Sequence, residues 1–281
     1  MKTLRPFARI LAGFFGLLGI TWGLNAEEQV RSPSRHFDRW QDGVQHGRVF
    51  TEEYPSRRVG SRRSLVVYQP PGYTPSLRYP VLYLLHGMSD DETAWTRRGA
   101  LEPILDNLYS DGRLVPMLVV MPNGRASRDV DVESSWERQA EAFVAFEEEL
   151  LDTVVPFVES RFRVLPDREH RALAGVSMGA RQALRFGLSH SDRFAWVGAF
   201  SPTGPIPSPE QLLPRPAELS SRLRLLSLSV GDQDPVSSVA ARFHEQLDAL
   251  GVRHQWHRES GGHTWMVWKR DLHRFAQEVF R

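Results

Sequence analysis

A serine between two glycines lies in the segment HRALAGVSMGARQAL, and its surroundings indicate a nucleophile. The apolar residues up to Val176 predict a buried strand, and the residues after Ser177 predict a helix. A serine on such a tight turn projects its hydroxyl above the end of the sheet. Glycines are needed at 175 and 179 because side chains there would collide with the neighbouring strand and helix. We therefore predict that Ser177 is a nucleophile.

A serine nucleophile requires a base, and the base requires an acid that orients it. The Gly-x-Ser-x-Gly pattern is that of the nucleophile elbow of α/β-hydrolases. In those enzymes the acid, and after it the histidine, follow the serine along the chain. The segment LSLSVGDQDPV ends in a turn with two aspartates, and ESGGHTW places His263 after the last predicted strand. We predict Asp234 as the acid and His263 as the base. Asp232 is predicted as a turn residue that bonds its own backbone.

The oxyanion that forms when a serine attacks a carbonyl needs two N–H donors. One is expected from Met178, because the residue after the nucleophile begins the predicted helix. The other is expected from a loop after an early strand, where LLHGMSDDETAW lets the chain turn back at His86 and Gly87. We predict Met88 as this second donor, and His86 as a buried residue that supports the loop rather than as the base.

The elements that must position these residues alternate between strands and helices. Apolar or β-branched runs predict strands at 64–70, 80–87, 116–122, 171–176, 194–200, 223–230 and 252–258. Helical spacing of apolar residues predicts helices at 99–111, 138–160, 178–189, 236–250 and 265–280, with Pro156 kinking or shortening the second of them. This alternation predicts an α/β fold with a mostly parallel sheet and helices on both faces.

The first residues have the layout of a secretory signal peptide. Lys2, Arg5 and Arg9 precede an apolar run that ends before Ala26. This run is shorter than the roughly 20 residues that span a bilayer. We predict a signal peptide over residues 1–26, cleavage after Ala26, and a secreted or periplasmic location. A retained membrane anchor is the alternative.

The remainder of the chain divides into an arm and one domain. Residues 27–45 are polar without periodicity and are predicted to form an N-terminal arm, whereas residues 46–281 are predicted to form one catalytic domain. Within that domain, residues 202–216 hold six of the nineteen prolines. This proline-rich segment forms either an extended loop or a lid beside the site.

Charge and composition exclude several classes of protein. The formal net charge is +1, and removal of residues 1–26 lowers it to −2. Because no long basic block is present, a nucleic-acid partner is not expected. The absence of cysteine excludes disulfides, thiolate metal sites and a cysteine nucleophile.

Several segments occur together in the order seen in one family of esterases: PPGY, YPVLYLLHG, VMPNG, VVPFVESRFRV, DREHRALAGVSMG and GGHTWMVW. Over about residues 46–281 the chain resembles secreted feruloyl esterases and related esterases of carbohydrate esterase family one. It is similar, more distantly, to the esterase D group, which includes S-formylglutathione hydrolases and mycolyltransferase-like proteins. The resemblance implies an α/β-hydrolase fold, the catalytic residues Ser177, Asp234 and His263, and an oxyanion hole formed by the backbone of Met88 and Met178. Ala180 departs from the family, which usually has a second glycine after SMG, and residues 202–216 match no family pattern.

The resemblance further implies an exported serine esterase that needs no metal or cofactor. Its expected substrates are small-molecule or polysaccharide-linked esters, with feruloyl or acetyl groups on plant polysaccharide as the class. An acyltransferase of the mycolyltransferase-like type and a siderophore-ester or thioester hydrolase are alternatives that use the same residues. A non-catalytic binding protein on this scaffold is disfavoured, because the three candidate catalytic residues occur together. Trp95, Trp136 and Trp265 either stack on an aryl group or sugar, or pack within the fold.

Overall fold

A computed structural model of the chain describes residues 30–212 and 222–281. The predicted signal peptide over residues 1–26 and the end of the proline-rich segment 202–216 lie outside these ranges. Within the described ranges, no helix combines the length and the apolar character needed to cross a membrane.

Eight strands of the described chain form one sheet in the order β1-β2-β4-β3-β5-β6-β7-β8. Strands β3 to β8 are parallel, whereas β2 pairs antiparallel with both β1 and β4 at one edge. The bounds are β1 Arg48–Ser56, β2 Ser61–Gln69, β3 Val81–Leu85, β4 Leu118–Pro122, β5 Arg171–Val176, β6 Trp196–Phe200, β7 Leu225–Gly231 and β8 Gln255–Glu259. The predicted α/β fold with a mostly parallel sheet, that of the α/β-hydrolases, is confirmed.

Helices cover both faces of this sheet. Successive residues of a strand point to opposite faces, so Ala174 packs in the core beneath α2 and α8, while Leu173 packs in the core beneath α3 to α5. The helix α7 closes the second face near β7, where Phe243 packs against Leu228. The bounds are α1 Ala94–Arg97, α2 Leu101–Ser110, α3 Trp136–Glu149, α4 Val155–Arg161, α5 Met178–Ser189, α6 Pro209–Leu212, α7 Ser237–Ala249 and α8 Trp265–Glu278.

The helix predicted over residues 138–160 is interrupted in its second half. Its first part, α3, ends at Glu149, one π-helical turn spans Leu150–Val154, and α4 then begins at Val155. Pro156 lies in the first turn of α4. Because proline has no N–H and its ring crowds the preceding turn, that turn widens instead of continuing the α-helix.

Strand β1 is absent from the strands that the sequence pattern predicts. It is an edge strand in which only Tyr54 and Ser56 are buried, so it has no buried apolar run. Its pairing with β2 holds it from Arg48↔Gln69 to Ser56↔Ser61. The residues before it are anchored as well. Phe37 is buried in the core beneath α2 and α8, and the Asn107 side chain donates a hydrogen bond to its carbonyl oxygen at 3.1 Å.

A carboxyl group is buried where α8 lies against the sheet. Asp271 is 2% exposed, and its carboxylate lies 3.8 Å from the Arg274 guanidinium. Burial raises the pKa of Asp271 to about 7, and the nearby Ser229 hydroxyl offsets only part of this rise. The folded protein therefore holds a proton on Asp271 that an unfolded chain releases near its ordinary pKa of 3.8.

We predict that Asp271→Asn raises the free energy of unfolding by a larger amount at pH 8 than at pH 5. Because the pKa of Asp271 is higher in the folded than in the unfolded protein, its contribution to the free energy of unfolding is full at low pH. That contribution is lost as the pH rises from about 4 to about 7. The loss is up to about 4 kcal/mol, and an uncharged amide avoids it. Urea unfolding at the two pH values measures the effect. The exposed Asp192→Asn is the control, and equal effects of the two substitutions would contradict the prediction.

Candidate active site

Ser177 lies between β5 and α5 in a strained backbone conformation with a positive φ. Its φ is 54° and its ψ is −117°, values that a residue with a side chain rarely adopts. The Ser177 N–H donates a hydrogen bond to the Phe200 carbonyl of β6 at 3.0 Å, and the Ser177 carbonyl accepts one from the Arg181 N–H at 3.1 Å. The turn is thus fixed from the neighbouring strand and from the helix that follows it.

The glycines on each side of Ser177 allow this turn to form. A Cβ atom on Gly179 would lie 2.4 Å from the His86 carbonyl oxygen, and one on Gly175 would lie 2.6 Å from the Gly179 carbonyl carbon. Both separations are too short for carbon atoms in a folded protein, and the obstructing atoms are backbone. The chain therefore reaches this conformation only with glycine at both positions.

The structure brings the three sequence-predicted catalytic residues together. The His263 Nε2 lies 3.0 Å from the Ser177 Oγ, and the His263 Nδ1 lies 2.9 Å from the Asp234 Oδ2. The side chain of His263 is 26% exposed, while that of Asp234 is fully buried. One edge of the imidazole thus faces the serine, and the other faces a carboxylate shielded from water.

Asp234 follows β7 and stays ionised despite its burial. Burial alone would raise its pKa, but hydrogen bonds from His263 and from the Val236 N–H hold the pKa below its ordinary value. An ionised carboxylate facing the His263 Nδ1 favours the tautomer with a proton on that nitrogen. The Nε2 of His263 is then free to accept a proton from Ser177.

Asp232 does not bond its own backbone as predicted. Its Oδ1 accepts a hydrogen bond from the Gly261 N–H at 2.8 Å, and its N–H donates to the Glu259 carbonyl at 2.7 Å. The prediction fails because β7 and β8 end side by side, so that the nearest free N–H belongs to the adjoining loop. Asp232 therefore holds the loop that leads to His263.

Aromatic rings support the histidine. The Trp268 ring meets the His263 ring edge to face, with centroids 4.9 Å apart, and Trp265 contacts Trp268 in the same way at 5.2 Å. Trp95 is 1% exposed and donates its indole N–H to the Leu85 carbonyl, which makes it a packing residue. Trp136 is 53% exposed at the start of α3. Trp268 ends the segment GGHTWMVW, but the sequence does not show that its ring meets His263, because α8 sets that contact.

The loop after β3 begins beside the serine. A Cβ atom on Gly87 would lie 3.3 Å from the Ser177 Cβ and 3.8 Å from its Oγ, so only glycine permits this approach without displacement. Met88 follows in the turn, and Met178 begins α5 with 3% of its surface exposed. Gly87 and Ser177 thus approach each other, and each is followed in the chain by one of the two predicted oxyanion donors, Met88 and Met178.

His86 is buried and orients the peptide group between Gly87 and Met88. Its Nδ1 donates a hydrogen bond to the Gly87 carbonyl at 2.6 Å, and its Nε2 accepts one from the Gly124 N–H at 2.9 Å. Burial, together with the charge of Arg125, lowers the pKa of His86 to about 4, so the ring is neutral at pH 7. In a trans peptide the N–H points away from the carbonyl. Fixing the Gly87 carbonyl therefore fixes the direction of the Met88 N–H.

Arg125 is a supporting residue that the sequence does not identify. Its guanidinium donates hydrogen bonds to the Met88 carbonyl at 3.0 Å and to the Asp90 carbonyl, and it lies over the Phe143 ring at 5.4 Å. The motif VMPNG precedes this residue, but nothing in the local pattern shows that its side chain reaches the 87–90 loop. Arg125 anchors the far side of that loop.

Comparisons with known proteins give a consistent result. Residues 56–221 match the Esterase family, whose description is "Putative esterase". The chain is 29% identical over 259 residues, 90% of its length, to an endo-1,4-beta-xylanase/feruloyl esterase of Xylanibacter ruminicola. It is 31% identical over 146 residues, 48% of its length, to endo-1,4-beta-xylanase Y of Acetivibrio thermocellus. The chain spans only 34% and 12% of the lengths of these two relatives.

Solved structures of a carbohydrate esterase family one ferulic acid esterase from the fungus Anaeromyces mucronatus share the fold. Without substrate, that enzyme matches with a TM-score of 0.80 and 27% identity over 90% of this chain and 98% of its own. In complex with ferulic acid it matches with a TM-score of 0.82 and 26% identity over the same shares.

Proposed function

The chain belongs to the Esterase family, and from that premise we propose that it hydrolyses carboxylic esters with Ser177 as the nucleophile. The observation that carries the proposal is the continuous hydrogen-bonded chain from the Ser177 Oγ through the imidazole of His263 to the carboxylate of Asp234, with separations of 3.0 and 2.9 Å. The esterase names of the relatives and of the matching structures support the reaction class.

Each of the three residues has a defined role in this reaction. The His263 Nε2 accepts the hydroxyl proton as the Ser177 Oγ attacks the ester carbonyl carbon, and the Asp234 carboxylate stabilises the resulting imidazolium. The protonated His263 then donates that proton to the departing alcohol, which leaves an acyl group on Ser177. Water, deprotonated by the same histidine, attacks the acyl-enzyme and releases the acid.

The negative charge on the tetrahedral intermediate requires donors that are in place before the reaction. We assign this role to the N–H groups of Met88 and Met178. The Met178 N–H is at the first turn of α5, where the helix leaves its N–H groups unpaired. The Met88 N–H is directed by the hydrogen bonds that His86 and the Asp90 N–H make to the Gly87 carbonyl.

We propose feruloyl or acetyl esters of plant polysaccharide as the substrate class. Support comes from the Xylanibacter ruminicola relative, which is named a feruloyl esterase, and from the similar fungal enzyme solved with ferulic acid. The proposal also includes export with cleavage after Ala26. It places a polar arm over residues 27–45 and a catalytic domain over residues 46–281.

We predict that Ser177→Ala abolishes hydrolysis of p-nitrophenyl acetate, with a loss of kcat of at least about 10⁴-fold. The same substitution prevents labelling by a fluorophosphonate probe, which reacts with activated serines. Ser189→Ala changes an exposed serine on the same helix and serves as the matched control, with activity and labelling retained. A wild-type protein that is neither labelled nor active would end the enzyme proposal.

A substrate panel tests the proposed class. We expect turnover of methyl ferulate or acetylated xylan to exceed that of a cyclic siderophore ester and of an acyl thioester. The panel is repeated with an added acceptor alcohol, and we expect free acid to remain the main product. Preferred turnover of the siderophore ester or the thioester, or transfer of most acyl groups to the alcohol, would replace this assignment with one of the alternatives.

We predict that His86→Ala lowers kcat on the order of 10- to 100-fold while KM changes little. The substitution removes the hydrogen bond that directs the Met88 N–H, and losing one oxyanion donor typically costs about 10² to 10³ in rate. His86→Asn retains a donor at the position of Nδ1 and should recover part of the loss. Steady-state kinetics on p-nitrophenyl acetate decides. An unchanged kcat in a folded His86→Ala protein would show that the histidine only fills space.

A further inference from the structure

Two histidines and an aspartate meet at the end of α7, far along the chain from the serine turn. His244 and Asp248 lie one helical turn apart, and His254 lies just before β8. The His244 Nδ1 is 2.7 Å from the His254 Nε2, and the His244 Nε2 is 3.4 Å from the Asp248 Oδ2. One possible ligand atom from each residue lies within 4.8 Å of the other two.

The hydrogen bonds around this cluster leave a lone pair directed into it. The His254 Nδ1 faces the Val252 carbonyl at 2.8 Å, an arrangement that places a proton on Nδ1. The His254 Nε2 then carries a lone pair that accepts a hydrogen bond from the His244 Nδ1–H at 2.7 Å, and a metal ion bound between the two nitrogens would displace that proton. A backbone carbonyl on the second nitrogen is the usual support of a metal-binding histidine, because it fixes the tautomer and the direction of the ring.

Packing holds both rings in place. The indole of Trp256 stacks on the ring of His244, with centroids 4.9 Å apart and an angle of 11° between the planes. The side chain of His254 is only 3% exposed, whereas that of Asp248 is 63% exposed. The cluster thus has two rigid nitrogen donors on its inner side and a carboxylate on its solvent side, where water can complete a coordination shell.

We propose that His244, Asp248 and His254 bind one divalent transition-metal ion, with zinc as the representative. Two imidazoles and a carboxylate are a common ligand set for zinc, whereas magnesium and calcium prefer oxygen ligands. Nitrogens bound to one tetrahedral zinc lie about 3.3 Å apart. The 2.7 Å separation of the two histidine nitrogens therefore needs to widen by less than an ångström.

The bound ion would act on the stability of the fold and not on ester hydrolysis, for which no metal is expected. The cluster lies at the amino end of β8, whereas His263 follows the carboxyl end of that strand. The ion would join the last turn of α7 to the residues that lead into β8. Since β8 is the edge strand of the parallel part of the sheet, this link holds the edge in place.

The test uses the full chain after removal of metals with a chelator. We expect titration with zinc chloride to give one ion per chain with a dissociation constant in the micromolar range or below. Zinc should raise the unfolding temperature, and magnesium chloride should not. Cobalt(II) should bind with the visible absorption bands of a site that contains nitrogen ligands. Failure of zinc to bind at one ion per chain would overturn the proposal, whether or not the protein hydrolyses esters.

Single substitutions locate the site. His254→Ala and Asp248→Asn should each weaken zinc binding by more than about tenfold. His170→Ala is the matched control and should leave the affinity unchanged. His170 pairs with Asp167 at 2.8 Å, and among the residues that the structure describes this pair is not part of a group of three ligands. Asp248 is exposed, so its substitution remains informative if His254→Ala fails to fold. Zinc binding that survives both cluster substitutions, or that is lost in the control, would contradict the assignment.

Discussion

The candidate site depends on the close contact between Gly175, Gly179 and the end of β3. This contact lets β5 turn directly into α5 and holds Ser177 in a conformation with a positive φ. A strained backbone of this kind persists only where its surroundings determine it. Here the hydrogen bond from the Ser177 N–H to the Phe200 carbonyl and the packing against Leu85 do so. Without this turn the serine hydroxyl would have no fixed position relative to His263.

Parallel strands that end at the same edge of the sheet supply the remaining parts of the site. The loop after β3 carries Met88, the turn after β7 carries Asp234, and the loop after β8 carries His263. Each loop is tied by hydrogen bonds in which the serine takes no part. His86 and Arg125 hold the first, the Val236 N–H holds the carboxylate of the second, and Asp232 holds the third. The geometry is therefore set before any ester binds.

Much of this arrangement could be predicted from the sequence, because buried parallel strands are continuous apolar runs and the elbow has a local pattern. The bounds Arg171–Val176 and Met178–Ser189 agree with the predicted 171–176 and 178–189. The edge strand β1 could not be predicted, since only two of its nine residues are buried and no buried apolar run marks it. The supporting roles of Arg125 and Trp268 could not be predicted either. Their contacts depend on how distant segments meet, which no local spacing encodes.

The central claim is that Ser177 and the amides of Met88 and Met178 act on one carbonyl group. A crystal structure of the protein inactivated with a phosphonate tests it most directly, because the phosphonyl oxygen occupies the place of the oxyanion. We predict phosphorus bonded to the Ser177 Oγ, and the phosphonyl oxygen within about 2.7–3.1 Å of both amide nitrogens. A phosphonate attached elsewhere, or one whose oxygen points away from both amides, would contradict the account.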